Sequence, residues 1–152
     1  MKAFTVYQPY AYAIVAGLKG YETRPKRTNI RGCVAVHAGK KWLNADGLFE
    51  LLKREIAYGQ ILETECDRGI ERLKRATELV YGAVVGAVEI ADCLPVEEVI
   101  PTLTERERAL GDYSPGRWAW VLKNPVMFDM PIPARGKQGW WNWEGAGKDA
   151  EG

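Results

Sequence analysis

The sequence has little cysteine and almost no histidine. Its three cysteines, Cys33, Cys66 and Cys93, stand far apart, and His37 is the single histidine. Scattered cysteines of odd number, with no Cys-x-x-Cys spacing, do not form a disulfide framework, and one histidine leaves no donor set for zinc. We therefore expect a protein of a reducing, cytoplasmic compartment that holds no metal and needs no cofactor.

Long apolar runs are also missing. The N-terminal apolar segment is interrupted by Gln8 and Pro9, and it lacks the charged, apolar and small-residue order of a secretory signal. Apolar runs such as residues 83–88 are far too short to span a bilayer. We expect a soluble protein with no membrane partner.

The net charge is small, at +1, but the charges are unevenly distributed. Residues 1–43 carry eight Lys/Arg against one Glu, whereas residues 44–107 carry seven against fourteen acidic residues. This split predicts one basic face, which is the footprint expected for phosphate-bearing ligands. The alternative is that the acidic middle of the chain folds over the basic start and cancels its charge.

A chain of 152 residues is long enough for one domain with a substantial core. Runs of β-branched and aromatic residues bounded by glycine or proline predict strands. These runs are residues 2–7, 21–24, 33–38, 82–94 and 117–122, with an edge strand or extended connector at 125–133. Helices are predicted at 10–16, 45–58 and 61–79, and short acidic ones at 95–100 and 104–110. The pattern indicates an α+β fold, a small barrel of five to six strands with flanking helices.

Most of the six tryptophans and the histidine are expected to be structural. Trp118 and Trp120 share one face of a predicted strand, and one face of a barrel strand must be core. His37 lies in an apolar strand, where a histidine is more often a hydrogen-bonded core residue than a catalyst. Gly86 interrupts the strongest predicted strand and indicates a bend or bulge there.

Residues 17–32 form the most unusual segment, with five cationic residues and one carboxylate. Pro25 disfavours the helical region for Arg24, so the chain before it should be extended, with Glu22 and Arg24 on one face. Lys19 lies just upstream, on a glycine-flanked turn. Since Glu22 can neutralise only one of the two cations, a positive charge remains for an anion. The alternative is a solvated ion pair worth about 0–1 kcal/mol.

Residues 17–24, Gly-Leu-Lys-Gly-Tyr-Glu-Thr-Arg, resemble the Gly-x-Lys-x-x-Glu-x-Arg signature of the ASCH domain family. Other segments similar to that family are Gln8-Pro9-Tyr10 and residues 31–38, 82–93, 116–122, 131–133 and 136–141. The similarity covers most of the chain. It implies a single ASCH domain over residues 1–143, with a helical insertion at 44–80. The polar, glycine-rich composition of residues 144–152 predicts a flexible tail.

The resemblance implies a PUA-like β-barrel, a fold associated with RNA-modifying and RNA-binding proteins, whose working site is a cleft beside the signature. One branch of the family removes acyl groups from modified cytidine, and another cuts RNA. In the first branch the lysine is paired with a threonine three residues later, where this chain has Glu22. That departure disfavours acyl removal here.

The first functional hypothesis is binding of RNA or a nucleotide-like molecule in a basic cleft. The candidate ligand-binding residues are Lys19, Glu22, Arg24, Arg27, Lys40, Trp42, Ser114, Arg117 and Lys137. Cations among them would contact phosphate, and Trp42, Trp118, Trp140 or Trp141 would stack on bases.

Two alternatives belong to other classes. One is a metal-independent hydrolase, either a ribonuclease or a modified-nucleoside amidohydrolase, with Lys19 and Glu22 as the catalytic pair. The other is a protein-interaction module that docks a partner on the acidic insertion.

Overall fold

The computed structural model describes residues 1–42 and 79–145. The predicted helical pair, most of the insertion and most of the tail lie outside these residues, as does the side chain of Trp42. The elements, in chain order, are β1 (Lys2–Gln8), α1 (Tyr10–Val15), β2 (Tyr21–Arg24), β3 (Gly32–Trp42), β4 (Ala83–Pro95), α2 (Val96–Val99), a 3₁₀ turn (Ile100–Thr102), α3 (Glu105–Ala109), β5 (Trp118–Pro133) and β6 (Trp141–Asn142).

The strands form one mixed sheet in the order β2-β5-β4-β3-β1-β6. β1 and β3 are parallel, and the remaining neighbours are antiparallel. The α+β class and the predicted number of strands are therefore confirmed. The sheet is barrel-like but not closed, because the two edge strands, β2 and β6, do not pair with each other in the described part of the chain.

β5 is longer than the sequence predicts. The strand expected at 117–122 and the connector expected at 125–133 are one continuous strand, because residues on both sides of the gap pair with β4. On its other side, β5 pairs with β2 only over Trp118–Val121. Beyond Val121 that side has no partner strand among the described residues, and proline is tolerated in a strand with a free side.

The main core lies where α1 packs on the sheet. Phe4, Ile14, Val36 and Ile90 are almost completely buried there. Trp120 joins them, with its ring 5.8 Å from that of Phe4 in an edge-to-face arrangement. The expectation that this strand face is core is confirmed.

Gly86 lies at an irregularity in the pairing of β4 with β5, where the register shifts between Val84 and Gly86. A Cβ atom at Gly86 would lie 2.0 Å from the carbonyl oxygen of Val126 and 2.7 Å from Cγ1 of Val15. The predicted bulge is confirmed, and it lets α1 and β5 approach β4 more closely than any side chain would allow.

The end of α1 places the basic segment. Gly17 turns the chain at a φ of +78°, which glycine adopts without a steric penalty. The backbone N–H groups of Leu18 and Lys19 then both donate to the carbonyl of Ala13, at 2.9 and 3.1 Å. Lys19 is thereby held directly between α1 and β2.

None of the helices within residues 1–42 and 79–145 has the length and the hydropathy that crossing a bilayer requires.

Candidate functional site

A cleft of about 950 Å³ opens beside β2, between β1, the chain after α3 and the segment that precedes β6. Six cationic side chains line it against two carboxylates. The cations are Lys19, Arg24, Lys40, Arg117, Arg135 and Lys137, and the carboxylates are Glu22 and Asp112. The described lining is therefore strongly basic.

Lys19, Glu22 and Arg24 meet at one wall of this cleft. Nζ of Lys19 lies 3.7 Å from Oε1 of Glu22, and Nη2 of Arg24 donates to Oε2 of the same carboxylate at 3.2 Å. Glu22 thus bridges two cations, as the extended conformation of β2 predicts. Lys19 and Glu22 are only 3% and 7% exposed. This burial overturns the alternative of a solvated surface pair.

The amine of Lys19 is held by groups from three elements. Its Nζ donates to the carbonyl of Leu110 at 2.8 Å and lies 5.9 Å from the centre of the Tyr10 ring. Burial lowers its pKa below the ordinary value, while the charges of Glu22 and Glu107 act in the opposite direction. A buried amine with a lowered pKa exchanges its proton more readily than a surface lysine does.

One carboxylate of the acidic middle segment does approach Lys19. The N–H of Gly20 donates to Oε1 of Glu107, on α3, and burial raises the pKa of that carboxyl. Thr104 and Glu107 have the spacing of a capping box. Only half of the box forms, because Thr104 accepts from the Glu107 N–H while the Glu107 side chain turns to Gly20.

Two arginines of the cleft are anchored on backbone carbonyls. Arg24 donates from Nη2 to the carbonyl of Thr5 at 3.0 Å, and its guanidinium lies 5.3 Å from the Trp120 ring. Arg117 donates from Nη2 to the carbonyl of Thr23, also at 3.0 Å. Both guanidinium groups are therefore oriented before any ligand arrives.

The ASCH domain profile matches residues 4–132 of the chain. The chain belongs to the ASCH domain family. A comparison with curated proteins gives no match. ASCH domains have a PUA-like fold that is generally associated with RNA binding.

Solved structures of ASCH proteins are similar to this chain. A serine-to-alanine variant of the ASCH protein from Zymomonas mobilis is 13% identical, with 99% of this chain and 92% of that chain covered and a TM-score of 0.52. A tyrosine-to-phenylalanine variant of the same protein is 14% identical, with 87% and 74% covered and a TM-score of 0.47. At these identities, the first likeness shows a shared fold.

The structure of this ASCH domain brings most of the predicted site residues together. Those that line the cleft are Lys19, Glu22, Arg24, Lys40, Arg117 and Lys137. Arg27 does not line it, because its exposed guanidinium lies over the Trp118 ring at 5.8 Å. Ser114 does not line it either, since its hydroxyl is bonded to the Asp112 side chain within the turn. The predicted stacking role of Trp42 concerns a side chain outside the described part.

Other cleft residues of the ASCH domain were missed by sequence reasoning. The segment of residues 134–139 contributes Arg135 and Gln138. A basic, glycine-rich stretch before the last tryptophans was the one signal for it. Tyr7 and Tyr10 are aromatic lining residues, and none of the tryptophans that the structure describes lines the cleft.

The tryptophans near the C-terminal end make core contacts instead. The ring of Trp140 stacks on Trp120 at 5.0 Å, and its Nε1 donates to the Thr28 hydroxyl at 3.0 Å. Trp141 is buried and donates from Nε1 to the Thr5 hydroxyl. Both were candidates for stacking on bases, and the structure assigns them to packing.

His37 is the buried strand histidine that the sequence predicts, at 2% exposure. Its Nε2 lies 2.7 Å from the carbonyl oxygen of Ala134, and burial lowers the pKa of the ring. The same ring also borders the cleft.

Within residues 1–42 and 79–145, no group of three or more His, Cys, Asp or Glu side chains is placed to hold a metal ion.

Proposed function

We propose that the cleft binds RNA or a nucleotide-like molecule through its phosphates. The observation that carries this proposal is the charge of the lining, six cations against two carboxylates in about 950 Å³. Lys19 and Arg24 share the single carboxylate of Glu22. A phosphate beside them would compensate the positive charge of the lining, in a partly buried setting where salt screens it less than at the surface.

The anchored arginines support recognition of phosphate. Because Arg24 and Arg117 are already tied to backbone carbonyls, they lose little side-chain entropy when they bind. Lys40, Arg135 and Lys137 add positive charge around the same opening. Tyr7, whose side chain is 46% exposed, offers a ring on which an unpaired base can stack.

Salt tests this proposal. If about three to four phosphates of a single strand are neutralised, affinity for a short oligouridylate should fall about 20- to 50-fold between 50 and 200 mM salt. Lys137→Met should lower the slope of log affinity against log salt by about 0.7, because one phosphate contact is lost. Fluorescence anisotropy across a salt series measures both quantities.

Lys123→Met is the matched control, because Lys123 is exposed on β5 and lies outside the cleft lining. It removes the same charge and should leave the salt slope unchanged. Affinity that ignores salt, or an equal loss of slope in both variants, would contradict phosphate binding in the cleft.

A second candidate function, a hydrolase of RNA or of a modified nucleoside, is favoured by the buried Lys19 amine at the cleft wall. Its lowered pKa makes it suited to proton transfer, and Glu22, 3.7 Å away, would orient it or act as the base. Thr23 accepts a hydrogen bond from the Asp112 N–H and makes none to Lys19. Among hydrolases, this arrangement supports RNA cleavage over acyl removal.

If the domain is a hydrolase, Lys19→Met should reduce turnover at least about 100-fold, the usual loss on removing a general acid or base. Turnover by the wild type should rise with pH toward the lowered pKa of Lys19, because the neutral amine is the proton acceptor. Gel analysis of labelled RNA, and chromatography of acylated nucleosides, measure this in the presence of a chelator. Turnover that survives Lys19→Met overturns the assignment, and no wild-type turnover of either substrate class leaves binding as the function.

A further inference from the structure

The hydroxyl of Thr5 has three hydrogen-bond partners and one proton. Its Oγ1 lies 3.2 Å from Nδ1 of His37, 3.2 Å from the carbonyl oxygen of Lys137, and 3.2 Å from Nε1 of Trp141. The indole N–H can only donate, and the carbonyl can only accept. The hydroxyl therefore accepts from Trp141 and has one proton for the other two partners.

The protonation state of His37 decides which partner receives the hydroxyl proton of Thr5. Nε2 of His37 faces the carbonyl of Ala134 at 2.7 Å, so this nitrogen carries hydrogen. In the neutral ring, Nδ1 is then an acceptor, and it competes with the Lys137 carbonyl for the Thr5 proton. In the imidazolium, Nδ1–H donates to Thr5, and Thr5 donates to Lys137. Only in the second arrangement does every donor and acceptor of this network have a partner.

Both carbonyls belong to the segment of residues 134–139, which carries Arg135 and Lys137 at the cleft. The segment lies directly against the ring. A Cβ atom on Gly136 would lie 2.5 Å from Cε1 of His37 and 2.8 Å from the Thr5 hydroxyl. A change in the hydrogen bonds of His37 therefore acts first on the conformation of this segment.

We propose that His37 is a positioning residue for the cleft. Uptake of a proton at Nδ1 turns the Thr5 hydroxyl to the Lys137 carbonyl and fixes the 134–139 segment. The ordered segment then presents its two cations and raises the affinity for anions. The affinity part of this inference rests on the proposed function, whereas the hydrogen-bond switch does not.

The groups around the ring set the pH range. Three cations line the same cleft as the ring, namely Lys40 on its own strand and Arg135 and Lys137 on the 134–139 segment. β1, β4 and β6 face it with the uncharged Thr5, Val84 and Trp141. Burial lowers the pKa of His37 from 6.5, so the free protein takes up this proton below neutral pH. A bound anion compensates the neighbouring cations, and by linkage it must raise the pKa of His37.

The hydrogen-bond switch is tested by NMR in the protein without ligand. His37 is the single histidine, so its ring signals need no further assignment. The backbone amide of Gln138, which shares a peptide group with the Lys137 carbonyl, should shift with the same midpoint as the ring. Thr5→Ser should preserve this behaviour. Thr5→Val should lower the His37 midpoint by about 0.7 pH, because a hydrogen bond to a charged group is worth more than one to a neutral group, and Gln138 should no longer follow.

The affinity is tested with hexauridylate, whose charge is constant between pH 5.5 and 7.5. As the pH falls from 7.5 to 5.5, wild-type affinity should rise about fivefold more than that of His37→Gln, in line with ordinary coupling between sites. Thr5→Ser should behave as the wild type, and Thr5→Val should lose part of the gain, because it retains the charge but not the anchor.

The outcomes separate the two proposals. One outcome is that the Gln138 amide shifts with the His37 midpoint in the wild type but not in Thr5→Val, while hexauridylate binds at no pH. This outcome supports the switch and removes the proposed function. The switch is overturned if the Gln138 amide does not shift with the His37 midpoint in the wild type, or if it does so equally in Thr5→Val. If Thr5→Val does not fold, His37→Gln decides, since any pH response of Gln138 that persists in it overturns the proposal.

Discussion

Glu22→Gln is expected to lower the free energy of unfolding by about 3 kcal/mol, the lower end of what removal of one partner from a buried ion pair costs. The variant leaves Lys19 and Arg24 without their shared carboxylate. The loss falls mainly on Lys19, since its side chain is 2% exposed, whereas that of Arg24 is 28% exposed. Urea denaturation at pH 6 measures it, with Glu98→Gln, at an exposed position, as the control.

The pH dependence identifies the cause. Burial already lowers the pKa of Lys19, and Glu22 opposes this, so the variant should have a still lower pKa at Lys19. Between that pKa and the unfolded value of about 10.5 the unfolded chain binds more protons, so the stability of the variant rises with pH. The deficit should therefore be smaller at pH 9 than at pH 6.

A double-mutant cycle completes the test. Lys19→Met removes the buried charge, so Glu22→Gln should cost clearly less in that background. Equal costs in both backgrounds, together with a deficit that does not change with pH, would show that the pair does not interact.

Gly86→Ala should be at least as severe, with a loss of about 3 kcal/mol or a failure to fold. The added Cβ would lie 2.0 Å from the carbonyl oxygen of Val126, which is backbone of the neighbouring strand, and 2.7 Å from Cγ1 of Val15 in α1. Since β4 is central in the sheet, relief of the clash requires the sheet or the helix to move. Thermal unfolding and urea denaturation measure the loss.

Gly39→Ala is the matched control for Gly86→Ala. The new Cβ there would meet Cγ2 of Thr5 at 3.3 Å, a side-chain contact that a small adjustment relieves. We expect it to cost less than about 1 kcal/mol. A Gly86→Ala protein as stable as Gly39→Ala would show that the sheet absorbs the methyl group, and the close approach at the bulge would then have no structural role.

The strands and short helices of the described residues follow closely from local sequence patterns. Strands β1, β2 and β4 begin or end within about two residues of their predicted bounds. The union of two predicted segments into β5 was missed, because the prolines of the second segment, the first of them Pro125, are typical of an edge or a connector. They are tolerated because one side of that strand has no neighbour among the described residues. Local patterns do not report which side of a strand is free.

The pairing of Lys19, Glu22 and Arg24 could be predicted because the residues are close in sequence. The period of an extended strand places Glu22 and Arg24 on one face, and Gly17 at the end of α1 brings Lys19 next to them. The burial of the group could not be predicted. It depends on Leu110 and Glu107, which lie about ninety residues further along the chain and contact Lys19 and Gly20.

The sequence by itself therefore determined the α+β class, the ASCH signature and the meeting of two cations at one carboxylate, since each depends on backbone geometry over a few residues. Only the tertiary structure decided that the sheet stays open, that the tryptophans near the C-terminal end pack inward, and that Arg135 and His37 border the same cleft as Lys19. Those features depend on strand order, above all on the parallel pairing of β1 with β3. Strand order results from long-range packing, which no short stretch of sequence encodes.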